Sequence, residues 1–175
     1  MLQYHPDLIT GRNNVLALMF DMNKLWEKFV YVSLRKHKQP ETTITYQPCK
    51  LFWKPDAGQQ SQIKPDIVIN KDREDCVVLD TKWKNLKSFN PSPDDLRQMY
   101  VYHDYFNAKR VALIYPGESE SSTKSGFFLD IKSGKETKKE CSIVPLPVKS
   151  DIKEWQKDIN ERLENWMSAP NQSME

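Results

Sequence analysis

Apolar positions along the chain alternate between two spacings. Leu25, Trp26, Phe29, Val30 and Leu34 recur at three- and four-residue steps, which predicts a helix over residues 20–36 with Asp21 or Asn23 as its cap. Ser92-Pro93-Asp94-Asp95 combines a capping serine, a proline suited to the first turn and two acids at the positive end of the dipole, so a second helix is predicted from there to about residue 107. A third, over 151–167, places Ile152, Trp155, Ile159, Leu163 and Trp166 on one face. Between them lie β-branched and apolar runs at 42–46, 50–53, 66–69, 76–83 and 110–115, the last closed by Pro116-Gly117. Two late strands are predicted at 126–131 and 141–146. Polar residues 56–62 and 118–125 read as loops, 70–75 as a hairpin connection and the lysine-rich stretch 132–140 as a turn. The order implies a single α/β domain over 1–175, a mixed sheet flanked by helices with an α-β-β-β-α-β core.

Composition narrows the class. With 26 Lys and Arg against 24 Asp and Glu, the net charge of +2 excludes a polycation and an acidic tail but leaves room for a local basic groove. An aromatic content of 11% argues against disorder. No apolar stretch approaches the roughly 18–20 residues of a membrane span, and residues 1–10 lack the pattern of a signal peptide. Three cysteines without Cys-x-x-Cys spacing fit neither a disulfide framework nor a zinc site, and a reducing cytoplasm is the simplest setting.

The chemistry concentrates around Asp80-Thr81-Lys82. On a strand, Asp80 and Lys82 share a face while Thr81 points away. They follow the apolar run Val77-Val78-Leu79, and charges at the end of a buried strand are costly unless paired or bound. Asp66 heads the preceding strand, so a hairpin brings it toward Asp80. Two like charges held together repel, which a divalent cation relieves, and hard oxygen donors suit Mg²⁺ or Mn²⁺. Lone Asp-x-Lys tripeptides are common at solvated strand ends. The Pro65-Asp66 pair and the apolar approach to Asp80 distinguish this one.

These residues resemble the PD-(D/E)xK nuclease superfamily, and Gln98-Met99-Tyr100-Val101-Tyr102 is similar to the Gln-x-x-x-Tyr motif of its RecB-like branch. Over roughly residues 15–116 the chain resembles the catalytic domain of the McrC family, nuclease subunits of McrBC systems that restrict 5-methylcytosine DNA. The matching stretches are residues 21–30, Lys64-Pro65-Asp66-Ile67, residues 79–84 and residues 98–102. The resemblance implies a restriction-endonuclease-like fold. Asp66 and Asp80 would be metal ligands with the Thr81 carbonyl as a further one, and Lys82 the catalytic lysine. Glu27 would add a carboxylate near the metal, or else be an exposed helix residue. Gln98 would lie near the lysine or the DNA with Tyr102 beside it, or Tyr102 would be core. His103 reads as a packing or surface residue. Trp83, Lys84 and Lys87 are candidates for phosphate contacts, and Trp155 and Trp166 for core or a partner surface.

The implied activity is Mg²⁺-dependent (or Mn²⁺-dependent) DNA endonuclease, with an McrB-like AAA+ GTPase motor as partner and oligomers possible. A RecB- or Cas4-like repair exonuclease, or an inactive nuclease-fold scaffold, are the alternatives. McrC-type subunits carry an N-terminal region that engages the motor, whereas this sequence begins almost at the first catalytic helix, as an excised domain or a shortened homologue would. It contains no Gly-x-x-x-x-Gly-Lys-Ser/Thr loop of its own.

Overall fold

The computed structural model describes residues 21–84, 90–118 and 122–170. Each helix starts at a side-chain cap. Asp21 accepts the Lys24 N–H at 3.3 Å ahead of α1 (Met22–His37). Ser92 accepts the Asp95 N–H at 3.1 Å ahead of α2 (Pro93–Phe106), and Asp151 accepts the Glu154 N–H at 2.7 Å ahead of α3 (Ile152–Ser168). These bonds satisfy N–H groups that have no partner within the helix. Asn107 ends α2 in the left-handed region at φ 47°, a conformation asparagine tolerates.

Six strands form one mixed sheet: β1 (Ile44–Tyr46), β4 (Ile67–Ile69), β5 (Val77–Thr81), β6 (Arg110–Gly117), β7 (Lys124–Leu129) and β8 (Glu136–Pro147), in the order β1-β4-β5-β6-β8-β7. β5, β6 and β8 run parallel, and the outer strands pair antiparallel. A separate two-stranded hairpin joins β2 (Lys50–Trp53) to β3 (Ser61–Ile63), with a bulge between Leu51 and Trp53.

Residues of β4 and β5 are buried on both faces, so both faces need a cover. Ile67, Ile69, Val77, Leu79, Ala112 and Ile114 pack against α1 and α3. Val68, Val78, Val111 and Leu113 pack against Met99, Tyr102 and Phe106 of α2. Trp26 ties α1 to the sheet: its indole N–H donates to the Ile114 carbonyl at 3.3 Å, and its ring lies 5.7 Å from Trp83 and 5.8 Å from Trp155. Trp155 and Trp166 therefore belong to the core.

Several sequence expectations change. β3 forms inside the polar stretch read as a loop, because Gln62 and its neighbours pair with Leu51 across the hairpin rather than burying a face. Strand β5 stops at Thr81, not at Trp83. β6 runs through Pro116-Gly117 instead of ending there, as Pro116 pairs with Leu146. β7 starts at Lys124, two residues before the predicted Gly126, and ends at Leu129; Ile131 is 98% exposed. Residues 136–140 belong to β8, and the turn shrinks to 131–133, held by Asp130 accepting from the Ser133 N–H at 2.7 Å. Leu25 and Ile152 are exposed rather than core. The three cysteines are free, and among the described residues no helix is long and apolar enough to cross a membrane.

Because Trp26 supplies both a ring and a hydrogen bond to the sheet, Trp26→Ala is expected to lower unfolding free energy by about 3–5 kcal/mol, measured by urea titration.

Candidate active site

The register of β4 on β5 pairs Ile67 with Leu79. One step further, Asp66 comes opposite Asp80, at the end where both strands leave the core. Asp66 Oδ2 accepts from the Thr81 N–H and from the Thr81 hydroxyl, each at 2.7 Å. Thr81 is thus not turned away from the acids, as strand alternation alone predicts. Its hydroxyl fixes the carboxylate of Asp66 from the neighbouring strand.

Asp80 is buried. Its Oδ2 lies 2.8 Å from the Lys82 ammonium. That oxygen is shielded from solvent, and among the described residues it finds no well-angled hydrogen bond, so the contact is ionic. Burial, and then the Asp66 charge, push the Asp80 carboxyl up to about 6, against the pull of Lys82. Repulsion between the two aspartates is therefore present in the folded protein and only partly offset.

Lys82 is held from three sides. Beyond Asp80, its Nζ lies 3.3 Å from Asp95 Oδ1 and donates to Gln98 Oε1 at 3.2 Å. Gln98 in turn donates through Nε2 to the Tyr102 hydroxyl at 2.8 Å, and Tyr102 donates to the Lys64 carbonyl at 3.2 Å. Asp95, Gln98 and Tyr102 recur at three- and four-residue steps, so one face of α2 supplies all three. Tyr102 combines both readings open from the sequence: it is buried core and also the end of this chain of hydrogen bonds. Burial pulls the Lys82 ammonium down, but Asp80 and Asp95 outweigh it and its pKa lies above the usual value, so it carries its proton at neutral pH.

Glu27 is buried rather than exposed, on the α1 turn that Trp26 anchors. It accepts from Gln47 Nε2 at 2.5 Å. Burial, and then the Asp66 charge, raise its pKa. Gln47, in the left-handed region at φ 46°, also donates its N–H to the Asp66 carbonyl at 2.8 Å. The structure thus brings Glu27, Asp66, Asp80, Thr81, Lys82, Gln98 and Tyr102 into one neighbourhood. His103 sits apart, packed with its ring 3.0 Å from the Glu140 carbonyl. Trp83 packs against the core, Lys84 is paired to Asp95 at 2.7 Å, and Lys87 lies outside the described residues.

Sequence reasoning missed two members. Asp95 reads as a helix-dipole residue, yet it bridges Lys82 and Lys84. Its signal was its spacing of three from Gln98. Gln47 carries no sequence signal, because its role depends on a backbone turn.

Asp66, Asp80 and the Thr81 carbonyl are the groups that could hold a hard cation, with Glu27 behind them. Among the described residues no three His, Cys, Asp or Glu side chains form a ready cage. Two carboxylates completed by water suit Mg²⁺, which keeps much of its hydration. The buried Asp80 oxygen, repelled by Asp66 and already drawn to a cationic ammonium, fits a cation.

The mixed sheet with helices on both faces is a restriction-endonuclease-like fold, with an acid–lysine cluster at the ends of two central strands. The chain belongs to the family described as "McrBC 5-methylcytosine restriction system component", whose sequence model matches residues 1–116. It is similar to a chain in the half-complex refined from the tetradecameric assembly of Thermococcus gammatolerans McrB AAA+ hexamers with bound McrC. That likeness has 25% identity and a TM-score of 0.63 and covers 86% of this chain and 34% of that one. The chain thus spans about a third of that relative's length. A further match, at 15% identity and a TM-score of 0.42 over 88% of this chain and 62% of that one, is the crystal structure of SSO0001. A comparison with curated proteins gives no match.

Asp95 makes the cluster acid-sensitive. Burial raises its pKa, but Lys84, Ser92 and Lys82 outweigh it and hold the carboxyl down at about 2, below its ordinary 3.8. A depressed carboxyl stabilises the fold above its unfolded pKa, and that contribution fades as pH falls through 4 toward 2. Wild type is therefore expected to lose more melting temperature between pH 5 and 2 than Asp95→Asn, measured by thermal melts across that range.

Proposed function

We propose that this chain is the catalytic domain of a metal-dependent DNA endonuclease of the PD-(D/E)xK superfamily, acting in an McrBC-type restriction system beside an McrB-like AAA+ motor. One observation carries the reading: Asp66, Asp80 and Lys82 converge where β4 and β5 leave the core, with the Asp80 carboxylate buried against the Lys82 ammonium. Two carboxylates held together at a buried strand end oppose the fold, a feature that clusters at sites kept for chemistry. Family membership and the likeness to the McrB–McrC assembly support the restriction setting and the motor as partner.

Asp66, Asp80 and the Thr81 carbonyl would hold the cation, and Glu27 would orient its water shell through the region that Gln47 closes. Bound there, Mg²⁺ or Mn²⁺ would supply Lewis-acid stabilisation of charge on the phosphoryl group. The other steps belong to the protein. Lys82, charged at neutral pH, donates to a phosphoryl oxygen as negative charge builds there. Gln98 and Tyr102 fix the direction of that ammonium, and Asp95 keeps it protonated. A water attacks the phosphorus in line as the P–O bond on the opposite side breaks; the water's proton passes to solvent, and solvent protonates the departing ester oxygen.

Plasmid nicking in Mg²⁺ tests the proposal. Wild type is expected to cut circular DNA, and Asp80→Ala and Lys82→Ala to lose at least about a hundredfold in rate. Equal cleavage by all three removes the site assignment, and cutting confined to linear ends replaces endonuclease with exonuclease.

The same residue predicts a trade between stability and activity. A carboxyl raised to about 6 favours the fold only below its ordinary 3.8 and opposes it once pH rises through 6. In EDTA, Asp80→Asn is expected to melt higher than wild type at pH 7.5, with the gain vanishing near pH 4. Adding Mg²⁺ should raise the melting temperature of wild type and leave the variant unmoved.

A further inference from the structure

The β2–β3 hairpin stands off the main sheet and presents three consecutive large apolar side chains to solvent: Leu51, Phe52 and Trp53 are 57%, 48% and 56% exposed. Isolated two-stranded ribbons are barely stable, and a continuous exposed apolar run on one marks a binding surface. Its base is nevertheless fixed. Phe52 packs on Tyr105 with ring centroids 5.5 Å apart, and Lys50 Nζ donates to the Tyr105 carbonyl at 2.6 Å while lying 4.8 Å over the Phe106 ring. The end of α2 thus braces the hairpin and leaves Trp53 at the outer end of its strand.

Both roots of the hairpin are active-site residues. At one end Gln47 bonds Glu27 and the Asp66 carbonyl. At the other, β3 runs into Lys64, whose carbonyl holds Tyr102, and then Pro65-Asp66. Residues 47–64 carry Lys50, Lys54 and Lys64 against one acid, Asp56; Lys50 is engaged in the brace to α2, so Lys54 and Lys64 carry the charge toward a ligand. The exposed aromatic therefore sits on a basic ribbon continuous with the acid–lysine cluster.

We infer that this hairpin is a nucleic-acid contact in which Trp53 stacks on a DNA base near the scissile phosphate. The inference rests on the nuclease reading above and adds to it the element that grips the substrate. A basic segment with an exposed aromatic suits DNA, since lysines neutralise phosphate and every base offers a π-face. Lysines alone would also suit an acidic protein, and it is the continuity of the ribbon with Asp66 and the Tyr102 support that favours the nuclease's own substrate. Reach is adequate. Six extended residues from Gln47 to Trp53 span at most about 20 Å, or roughly six nucleotide steps. The grip is sequence-tolerant, because stacking reads no base edge.

Fluorescence anisotropy with a labelled single-stranded 20-mer and its duplex, in Ca²⁺ and without Mg²⁺, tests this on the full chain. Trp53→Ala is expected to weaken binding between about fivefold and a hundredfold, and Trp53→Phe to stay within about threefold of wild type. Ile131→Ala, an exposed apolar change on the turn between β7 and β8, should leave binding unmoved. DNA should quench a part of the tryptophan emission that Trp53→Phe lacks. Unchanged affinity in Trp53→Ala overturns the inference, and if wild type still nicks plasmid the nuclease site survives it. Trp53-dependent binding without any nicking has the opposite meaning: the hairpin contact stands and the nuclease reading falls. Loss of AAA+ motor binding in Trp53→Ala, with DNA affinity intact, reassigns the hairpin to a protein partner and overturns the proposal.

Discussion

The opposition of Asp66 and Asp80 is the constraint on which the rest of the site depends. Antiparallel pairing of β4 on β5 brings the two carboxylates face to face, and the apolar strands behind them withhold solvent. In such a medium like charges interact strongly, and the fold has to answer them. It does so unequally. Asp66 receives two donors from Thr81, a backbone N–H and a hydroxyl, while Asp80 receives an ammonium. A carboxylate bonded by the backbone is fixed in place. One facing a lysine can exchange that partner for another cation with little rearrangement. The two acids are therefore held differently although they lie side by side.

Lys82 shows how α2 takes part. An ammonium between two carboxylates and an amide oxygen cannot swing freely, and two of these three neighbours, Asp95 and Gln98, come from α2. Asp95 has a double effect. It keeps the lysine charged, and with Lys84 it forms an ion pair whose strength varies with pH and salt. In the proposed reaction a lysine held protonated would serve as a donor to developing charge and not as a base, leaving the water's proton to solvent.

Much of this was legible in the chain. The helix caps at Asp21, Ser92 and Asp151 followed from short polar residues before apolar periodicity, and the central strands from their unbroken apolar runs. Asp80 and Lys82 on one face followed from strand alternation. What could not be read came from pairing between distant segments. β3 is polar and short and exists because β2 lies beside it. The start of β8 is rich in lysine and glutamate, which reads as a turn, but an edge ribbon with β7 tolerates charge on its open face. Glu27 looked equally suited to solvent because helical periodicity alone does not say how far an adjoining loop folds over a helix face. Gln47 does that folding, through a positive φ that no composition rule assigns to glutamine.

Stability and site geometry meet at the Ile114 carbonyl. It accepts the Lys82 N–H at 2.9 Å, as the chain leaves β5, and the Trp26 indole N–H at 3.3 Å. One oxygen on a central parallel strand thus sets both the direction in which Lys82 departs and the height at which α1, with Glu27 next to Trp26, lies over the sheet. The carboxyl ends of parallel strands are where such exits gather, because there the backbone stops pairing and its side chains turn toward solvent. Packing and chemistry cannot then be tuned apart. A shift of the tryptophan in the core moves the Glu27 carboxylate relative to Asp66, and a change in the exit of β5 is felt by the ring that holds α1 down. The charge repulsion at this end persists because the β4–β5 register brings the acids together, beside an α1 whose Trp26 packs against Phe29, Trp83 and Trp155.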